Sequence, residues 1–376
     1  MEKKETELTT NRSKRKALDY GLLIVVLILL AFGLVMVLSA SAPYSLRTEG
    51  NSYFYASKQL RFAILGIVVM LVVSNIDYRI YKGRLADIAM IGSILLLIAV
   101  LIPGVGITRN DATRWLGFGG FQFQPSELMK ISLIIFMSAK ISKNPRKIKK
   151  FWTGLVPYLL LIGVIAVLLL MEPHMSATMI MAVIAIAIIF AAGAKMSQLL
   201  PLGAVGVVGA FVLARIETYR WKRVTIFLDP WQDVQGDGWQ IIQSLYAIGS
   251  GGLFGVGLGK SVQKYMYIPE PHNDFIFAIL AEELGLAGVL LVMVLFGLFI
   301  WRGITIALKA PDMFGTLVAI GITTMIGIQA IFSMAVVSSS MPVTGIPLPF
   351  FSYGGTALVM LLASVGVLLN ISRHTR

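Results

Sequence analysis

The 376-residue sequence contains no cysteine, three histidines and only 14% charged residues. The lack of cysteine excludes disulfide bonds, thiol catalysis and cysteine-ligated metals. A soluble domain of this length would carry far more charge on its surface. Hydrophobic residues make up 57% of the chain, and long apolar runs recur from end to end. The sequence therefore predicts an integral membrane protein whose apolar runs are surrounded by lipid.

The charge that is present is mostly positive, with a net charge of +13. Lysine and arginine lie in short segments between the apolar runs, where they typically set membrane orientation. No basic helix with interleaved aromatic residues occurs. The sequence therefore predicts membrane lipid, and no nucleic acid, as a partner of the chain.

Ten apolar runs are each close to the roughly 20 residues that cross a bilayer. Backbone polar groups must be satisfied internally within lipid, so the runs are predicted to be helices and the fold all-α and polytopic. Residues 1–376 read as a single integral membrane domain with a short basic tail at 1–18, and the first run is predicted to be an uncleaved helix. The predicted spans are 19–41, 60–76, 84–103, 125–142, 151–171, 175–193, 197–215, 273–301, 312–337 and 350–370.

The lysine and arginine residues also predict an orientation. With ten spans, every basic loop and both termini fall on one side, which is then the cytoplasm. The largest loop on the opposite side is 216–272, between the seventh and eighth spans. We expect a multi-pass protein of the cytoplasmic (inner) membrane with its active site facing outward.

Acidic residues cluster in "PEPHNDFIFAILAEELG", residues 269–285, at the start of the eighth span. Asn273 or Asp274 could cap the helix, and Asp274 could accept a proton from a substrate hydroxyl at the membrane boundary. Glu282 lies roughly 12 Å deeper along the helix axis. Glu282 and Glu283 are ionisable residues inside the predicted span, which makes them functional candidates; the structural alternative is a pair with a lysine or arginine.

Other charged residues are weaker candidates. Glu127 and Lys130 in "FQFQPSELMK" can pair on one helix face, either to orient helices or to line a cavity beside Asp274. Arg114 and Arg223, in outer segments, could face lipid headgroups or hold a pyrophosphate. His174 is a lone imidazole in a short turn, so no metal ligand set is predicted.

Two glycine-rich segments carry no clear chemistry by themselves. "GSGGLFGVGLGKS" resembles a phosphate-binding P-loop, but Phe254 stands where that motif needs glycine and no strand precedes it. "MPVTGIPLPFFSYGGT" has three prolines and three glycines before the last span. It predicts an irregular turn at membrane depth, either a rigid re-entrant turn or the wall of a substrate groove.

Four blocks resemble the signatures of the SEDS family (shape, elongation, division and sporulation), in the same order through almost the whole chain. The blocks look more like the FtsW/SpoVE branch than the RodA branch. One departure is that many relatives have "QPDLGT" where this chain has "EPHMSAT", so His174 stands where an aspartate is common. The blocks are "QPSELMK", "GWQIIQSLYAIGSGGLFGVGLG", "PEPHNDFIFAILAEELG" and "PVTGIPLPFFSYGG".

The resemblance implies a peptidoglycan glycosyltransferase that polymerises lipid II into β-1,4 glycan strands for division or sporulation. It implies an inverting mechanism with Asp274 as the base, and it matches Glu127 and Lys130 to the family's paired charges. Basic residues such as Lys130 and Arg223, or a divalent cation (Mg or Mn), would offset charge on the pyrophosphate.

The implied partners are lipid II, the glycan linked to undecaprenyl pyrophosphate, a class B penicillin-binding protein and other divisome or elongation proteins. Two alternative functions are a lipid II flippase and a non-catalytic scaffold for the penicillin-binding protein. The sequence shows no internal repeat of the kind typical of transporters.

Overall fold

The computed structural model describes residues 17–375, apart from residues 110, 111, 119, 120, 217 and 237. Most of the predicted basic tail, residues 1–16, lies outside the described residues. Twelve α-helices follow one another along the described chain. They are α1 Tyr20–Glu49, α2 Phe54–Asn75, α3 Arg84–Val100, α4 Pro125–Lys143, α5 Val156–Met171, α6 Met175–Ala191, α7 Met196–Ile216, α8 Thr218–Leu228, α9 Trp239–Gly251, α10 Ile276–Lys309, α11 Met313–Val337 and α12 Gly355–Ser372.

Each predicted span coincides with one helix, which confirms the helical, membrane-protein class of the fold. Within the described residues, six helical segments are both long and apolar enough to cross a membrane. That the chain crosses ten times, and that both termini are cytoplasmic, stays a prediction. The six segments are Tyr20–Glu49, Phe54–Asn75, Phe151–Met171, Ile276–Lys309, Met313–Val337 and Gly355–Ser372.

The first helix is longer than the predicted span, because it ends at Glu49 rather than at residue 41. Its start is fixed by Asp19, whose carboxylate accepts a hydrogen bond from the Leu22 amide at 2.9 Å. Its end is fixed by Gly50, which adopts the left-handed conformation with φ of 68°. Local capping, rather than the end of the apolar run, therefore sets the length of α1.

A small antiparallel sheet, which the sequence did not predict, lies between α3 and α4. Its strands are β1 Gly106–Arg109, β2 Ala112–Phe118 and β3 Phe121–Phe123, in the order β1-β2-β3. Strands this short give no recognisable alternation in the sequence. Strand β2 carries Arg114, one of the predicted site residues.

Helix α11 is at the centre of the bundle and packs against α4, α6 and α10. Small residues allow these helices to approach closely, as is common in membrane proteins. A Cβ atom at Gly321 of α11 would lie 2.6 Å from Ile134 of α4. Similarly, a Cβ atom at Gly366 of α12 would lie 2.5 Å from the Met70 carbonyl oxygen of α2.

Helix α10 is kinked at Gly285, where φ is 63° and ψ is −162°. The glycine-rich segment 252–257 packs against the kink and satisfies its backbone groups. The amides of Val256 and Gly257 donate to the carbonyls of Glu282 and Glu283, each at 3.0 Å. The glycine-rich block therefore supports the helix that follows Asp274 and does not form a P-loop.

Candidate active site

Asp274 lies in the turn immediately before α10 and is half-buried. The N-cap residue of α10 is Phe275, and no side chain caps the helix. The capping explanation for Asp274 is therefore wrong. Asn273 does not cap either, because its side chain accepts no hydrogen bond from the first turn of α10. Its side-chain amide nitrogen donates to the Glu270 carboxylate at 2.7 Å.

The environment of Asp274 raises the pKa of its carboxyl towards neutral pH. Burial raises the pKa of the Asp274 carboxyl to about 6, and the neighbouring Glu270 carboxylate adds to the rise. The guanidinium groups of Arg114 and Arg223 act in the opposite direction and favour the ionised form. A carboxylate with this pKa can be ionised at neutral pH and still accept a proton during a reaction.

The proline-rich block before α12 forms one wall of the site. Gly345 has a φ of 60°, and a Cβ atom there would lie 3.1 Å from the Asp274 Oδ2 atom. Arg223 donates to the neighbouring Val343 carbonyl at 3.0 Å, and the Ser176 hydroxyl donates to the Thr344 carbonyl. Segment 343–345 is thus held against Asp274 by contacts from α6 and α8.

Arg114 connects the small sheet to the opposite side of the site. Its Nε atom donates to the Glu172 carbonyl at 3.2 Å, and its Nη2 atom donates to the Pro173 carbonyl. These contacts fix the turn between α5 and α6 beside the arginine. The guanidinium charge of Arg114 consequently acts on both His174 and Asp274.

The predicted pair in α4 forms, and it lies near the same cluster. Lys130 is 3% exposed, and its ammonium lies 2.9 Å from the Glu127 carboxylate. Burial, with the charges of Arg114 and Lys130, lowers the pKa of His174 to about 3, so this imidazole is neutral. The His174 Nδ1 atom lies 3.4 Å from the Gln124 amide nitrogen, at the start of α4.

Glu172 is a neighbour of this cluster that the sequence analysis missed. It is 1% exposed, and neither carboxyl oxygen has a hydrogen-bond partner among the described residues. Burial raises the pKa of Glu172 to about 8, although Arg114 opposes the rise. The signal available in the sequence was an acidic residue in a three-residue turn between two apolar spans.

The backbone next to Asp274 is clamped from the other side by the turn before α12. The Tyr353 amide donates to the His272 carbonyl at 2.9 Å, and the Ser352 hydroxyl donates to the Asn273 carbonyl at 2.8 Å. The His272 ring is buried and packs on Tyr55 with a centroid distance of 4.6 Å. Burial lowers the pKa of His272 to about 4.

Glu282 has different neighbours from those of Asp274. Its carboxylate accepts hydrogen bonds from the Ser261 hydroxyl and the Val262 amide, the latter at 2.8 Å. The adjacent Glu283 pairs with Lys264 at 2.8 Å, which is the lysine partner that the sequence could not identify. These contacts fasten segment 259–264 to α10, and a role for Glu282 in substrate binding stays a prediction.

The residues around Asp274 do not make a metal site by themselves. The described part of the chain has no group of three or more histidine or carboxylate residues that could hold a metal ion. The carboxylate that acts on Asp274 is Glu270, and arginine charges lie nearby. A divalent cation therefore stays an untested expectation, and we derive no step through one.

Comparison with known proteins identifies the family. The family model described as a cell cycle protein, FtsW/RodA/SpoVE, matches residues 20–376. The chain belongs to the FtsW/RodA/SpoVE family. This membership agrees with the multi-pass membrane architecture and with the resemblance seen in the sequence blocks.

Relatives of this FtsW/RodA/SpoVE protein match it over nearly its full length. Stage V sporulation protein E of Bacillus subtilis strain 168 is 45% identical over 97% of this chain and 99% of its own. A probable peptidoglycan glycosyltransferase FtsW of Geobacter sp. strain M18 is 42% identical over 95% of this chain and 97% of its own.

Solved structures agree with the fold. One solved chain comes from a structure of a peptidoglycan synthase complex that coordinates polymerization and crosslinking. It is 31% identical to this chain with a TM-score of 0.79, and the match covers 95% of this chain and 98% of that one. The rod shape determining protein RodA of Thermus thermophilus is 29% identical with a TM-score of 0.69, covering 95% and 97%.

Proposed function

We propose that this protein is a peptidoglycan glycosyltransferase that polymerises lipid II on the outer face of the cytoplasmic membrane. The observation that carries the proposal is the setting of Asp274, a half-buried carboxyl with a pKa raised to about 6 by burial. Relatives named as peptidoglycan glycosyltransferases cover nearly the whole chain. The chemistry below follows from what such an enzyme must do.

Asp274 acts as the general base. It accepts the proton of the 4-hydroxyl of the acceptor sugar as that oxygen attacks the anomeric carbon of the donor. A new C–O bond forms at this carbon, and the bond to the pyrophosphate oxygen breaks with its electron pair on the leaving group. Attack opposite the leaving group converts the α-linkage into a β-1,4 bond, so no covalent intermediate is needed.

Positive side chains around Asp274 stabilise the leaving group. Charge grows on the pyrophosphate as the bond breaks, and fixed cations in a partly buried site stabilise that charge without reorganising. Arg114 and Arg223 act electrostatically on Asp274, and Lys130 acts on the adjacent His174. The neutral His174 ring adds no negative charge there, which suits an anionic substrate.

Positioning of the two substrates also contributes to the acceleration. Both sugars are carried by lipids, so holding them in one orientation removes most of the entropy cost of their encounter. Segment 343–345 and the turn containing Ser352 fix the backbone on two sides of Asp274. We assign to these segments the role of aligning the carboxylate with the acceptor hydroxyl.

The decisive test replaces Asp274 with its neutral isostere. Asp274→Asn purified with its class B penicillin-binding protein should lose glycan polymerisation from lipid II by at least about 100-fold, because general-base catalysis contributes on that order. The measurement is the yield of glycan chains at fixed protein concentration. Asp77→Asn is the control and should behave like the parent. Asp77 follows the C-terminal end of α2, whereas the N-terminal end of α2 packs near Asp274 through Tyr55 and His272.

The same experiment separates the competing functions. If Asp274→Asn polymerised lipid II normally, Asp274 would have no part in the chemistry. A scaffold would show no polymerisation with either the parent or the variant. A flippase would move labelled lipid II across vesicles without forming glycan chains.

A further inference from the structure

A cavity of about 510 Å³ opens where α4 ends and α5 begins. Helix α4 starts beside the candidate active site, where Gln124 contacts His174. Its 19 residues carry the chain roughly 28 Å along the axis at 1.5 Å per residue. The cavity therefore lies at the other end of α4 from Asp274, which is the end that the sequence predicts to be cytoplasmic.

The polar part of the cavity is cationic. Lys140, Lys143 and Lys147 line it together with Asn144, and its lining contains no acidic residue. Lys140 is neutralised by Asp87, whose carboxylate lies 2.7 Å from its ammonium. Within the part of the chain that the structure describes, Lys143 and Lys147 are exposed and form no ion pair or hydrogen bond through their ammonium groups.

The inner wall of the same cavity is apolar. Phe136 from α4 and Leu161 from α5 line it, together with Pro157 and Tyr158. A site with cations at its mouth and membrane-helix side chains at its base matches a molecule with an anionic head and a hydrocarbon tail. Basic pockets between membrane helices on the cytoplasmic side bind anionic lipid headgroups in this way.

The segment that closes the cavity is built for the membrane interface. Two short turns, Pro145–Lys149 and Phe151–Leu155, stack closely because Gly154 leaves room for the Lys147 carbonyl oxygen. Trp152 is 77% exposed, and its ring lies 5.4 Å from that of Phe151. Exposed tryptophan beside basic residues is typical of the headgroup level of a bilayer.

We propose that this cavity binds one anionic phospholipid, whose phosphate contacts Lys143 and Lys147 and whose acyl chain lies along Phe136 and Leu161. The commitment to a lipid rests on the joint presence of unpaired cations and an apolar wall. A free phosphate would use the cations only. This site is independent of the proposed glycosyltransferase activity, because it shares no residue with the Asp274 cluster.

The test compares two double variants that lose the same charge. Lys143→Gln/Lys147→Gln removes the cavity cations, whereas Lys149→Gln/Lys150→Gln removes two exposed lysines from the same segment that do not line the cavity. The full chain is reconstituted in nanodiscs of equal phosphatidylglycerol and phosphatidylcholine. Bound lipid is then counted by native mass spectrometry after release from the discs.

We expect the parent and the 149/150 variant to retain phosphatidylglycerol in preference to phosphatidylcholine. The 143/147 variant should retain it roughly tenfold less, because two headgroup contacts are lost. Unchanged thermal unfolding of both variants shows that they are folded.

Several outcomes would overturn the proposal. Equal losses in both variants would mean diffuse attraction to the surface only. Displacement of the lipid by millimolar inorganic phosphate would mean an anion site without lipid specificity. A doubled mass in place of a lipid adduct would mean that a second copy of the chain covers the cavity.

Discussion

At the scale of single residues, the acidity of Asp274 is set by its surroundings and not by its sequence position. Burial and Glu270 raise the pKa to about 6 from an ordinary value of 3.8. Between these values the folded state binds more protons than the unfolded chain. The contribution of this group to stability therefore falls as pH rises through that window.

Activity should follow the opposite direction, because a base must be ionised. We expect kcat/KM for polymerisation to rise with pH around an acidic midpoint near 6. Glu270→Gln should lower this midpoint, and Arg223→Gln should raise it, since the two charges act on Asp274 with opposite signs. The measurement is a pH profile from 4.5 to 8, and a midpoint that stays fixed in both variants would contradict the assignment.

Gly345 tests how closely the proline-rich wall must approach the carboxylate. Gly345→Ala adds a methyl group 3.1 Å from the Asp274 Oδ2 atom at a residue with φ of 60°. Left-handed backbone costs an alanine about 1–2 kcal/mol. We expect this loss of stability together with a fall in kcat of about tenfold or more, because small displacements at a reacting group are costly.

Gly50→Ala is the matched control for that variant. Gly50 has a similar φ of 68° but nothing within 4 Å of its Cβ position. It should therefore lose similar stability without losing kcat. Equal kcat values in the two variants would show that the contact with Asp274 is unimportant.

At the scale of elements, α10 needs its kink and the loop that covers the kink. Lys264 is the centre of this attachment. Its ammonium lies 2.8 Å from Glu283, and it also donates to the Gly259 carbonyl at 2.7 Å and to the Ser39 hydroxyl at 3.1 Å. The attachment joins α1, the glycine-rich loop and α10, so it fixes the direction of the helix that begins beside Asp274.

Removing one partner of this buried pair should lower the free energy of unfolding more than removing both partners. Lys264→Met leaves Glu283 buried without a cation, which costs about 3–5 kcal/mol. The double variant Lys264→Met/Glu283→Gln should recover most of that loss. The measurement is unfolding of the detergent-solubilised protein, and equal stability of the single and double variants would show that the pair carries no electrostatic role.

At the scale of the whole molecule, the orientation in the membrane can be tested directly, because the chain has no cysteine. Gln232 is exposed and lies in the large segment between α7 and α10, which is predicted to be outside the cell. Lys149 is also exposed and follows the C-terminal end of α4, away from Asp274. An impermeant maleimide should label Gln232→Cys in intact cells. It should label Lys149→Cys only after the membrane is permeabilised.

The reverse labelling pattern would place Asp274 inside the cell. The proposed use of a lipid-linked substrate at the outer surface would then be wrong. Labelling of both residues in intact cells would show a leaky membrane, which a cytoplasmic marker protein controls for.

Hydrophobic patterning predicted ten of the twelve described helices, because every predicted span coincides with one. It missed α8 and α9, which lie within the predicted outer loop 216–272 and are too short to cross a bilayer. The pattern could not predict helix ends such as Glu49, which local capping at Gly50 decides. It also missed the sheet that carries Arg114, because strands of three to seven residues are too short to show a recognisable alternation of apolar and polar residues.

The sequence by itself determined the membrane class, the family blocks and the presence of a carboxylate, Asp274, at the entrance of an apolar helix. These follow from composition and from local order along the chain. Only the tertiary structure decided that Asp274 is not a helix cap, that Arg114 and Arg223 act on it, and that Glu283 pairs with Lys264. Charges separated by tens to hundreds of residues interact only when packing brings them together. The distances between such side chains depend on the tertiary fold and cannot be derived from the order of residues along the chain.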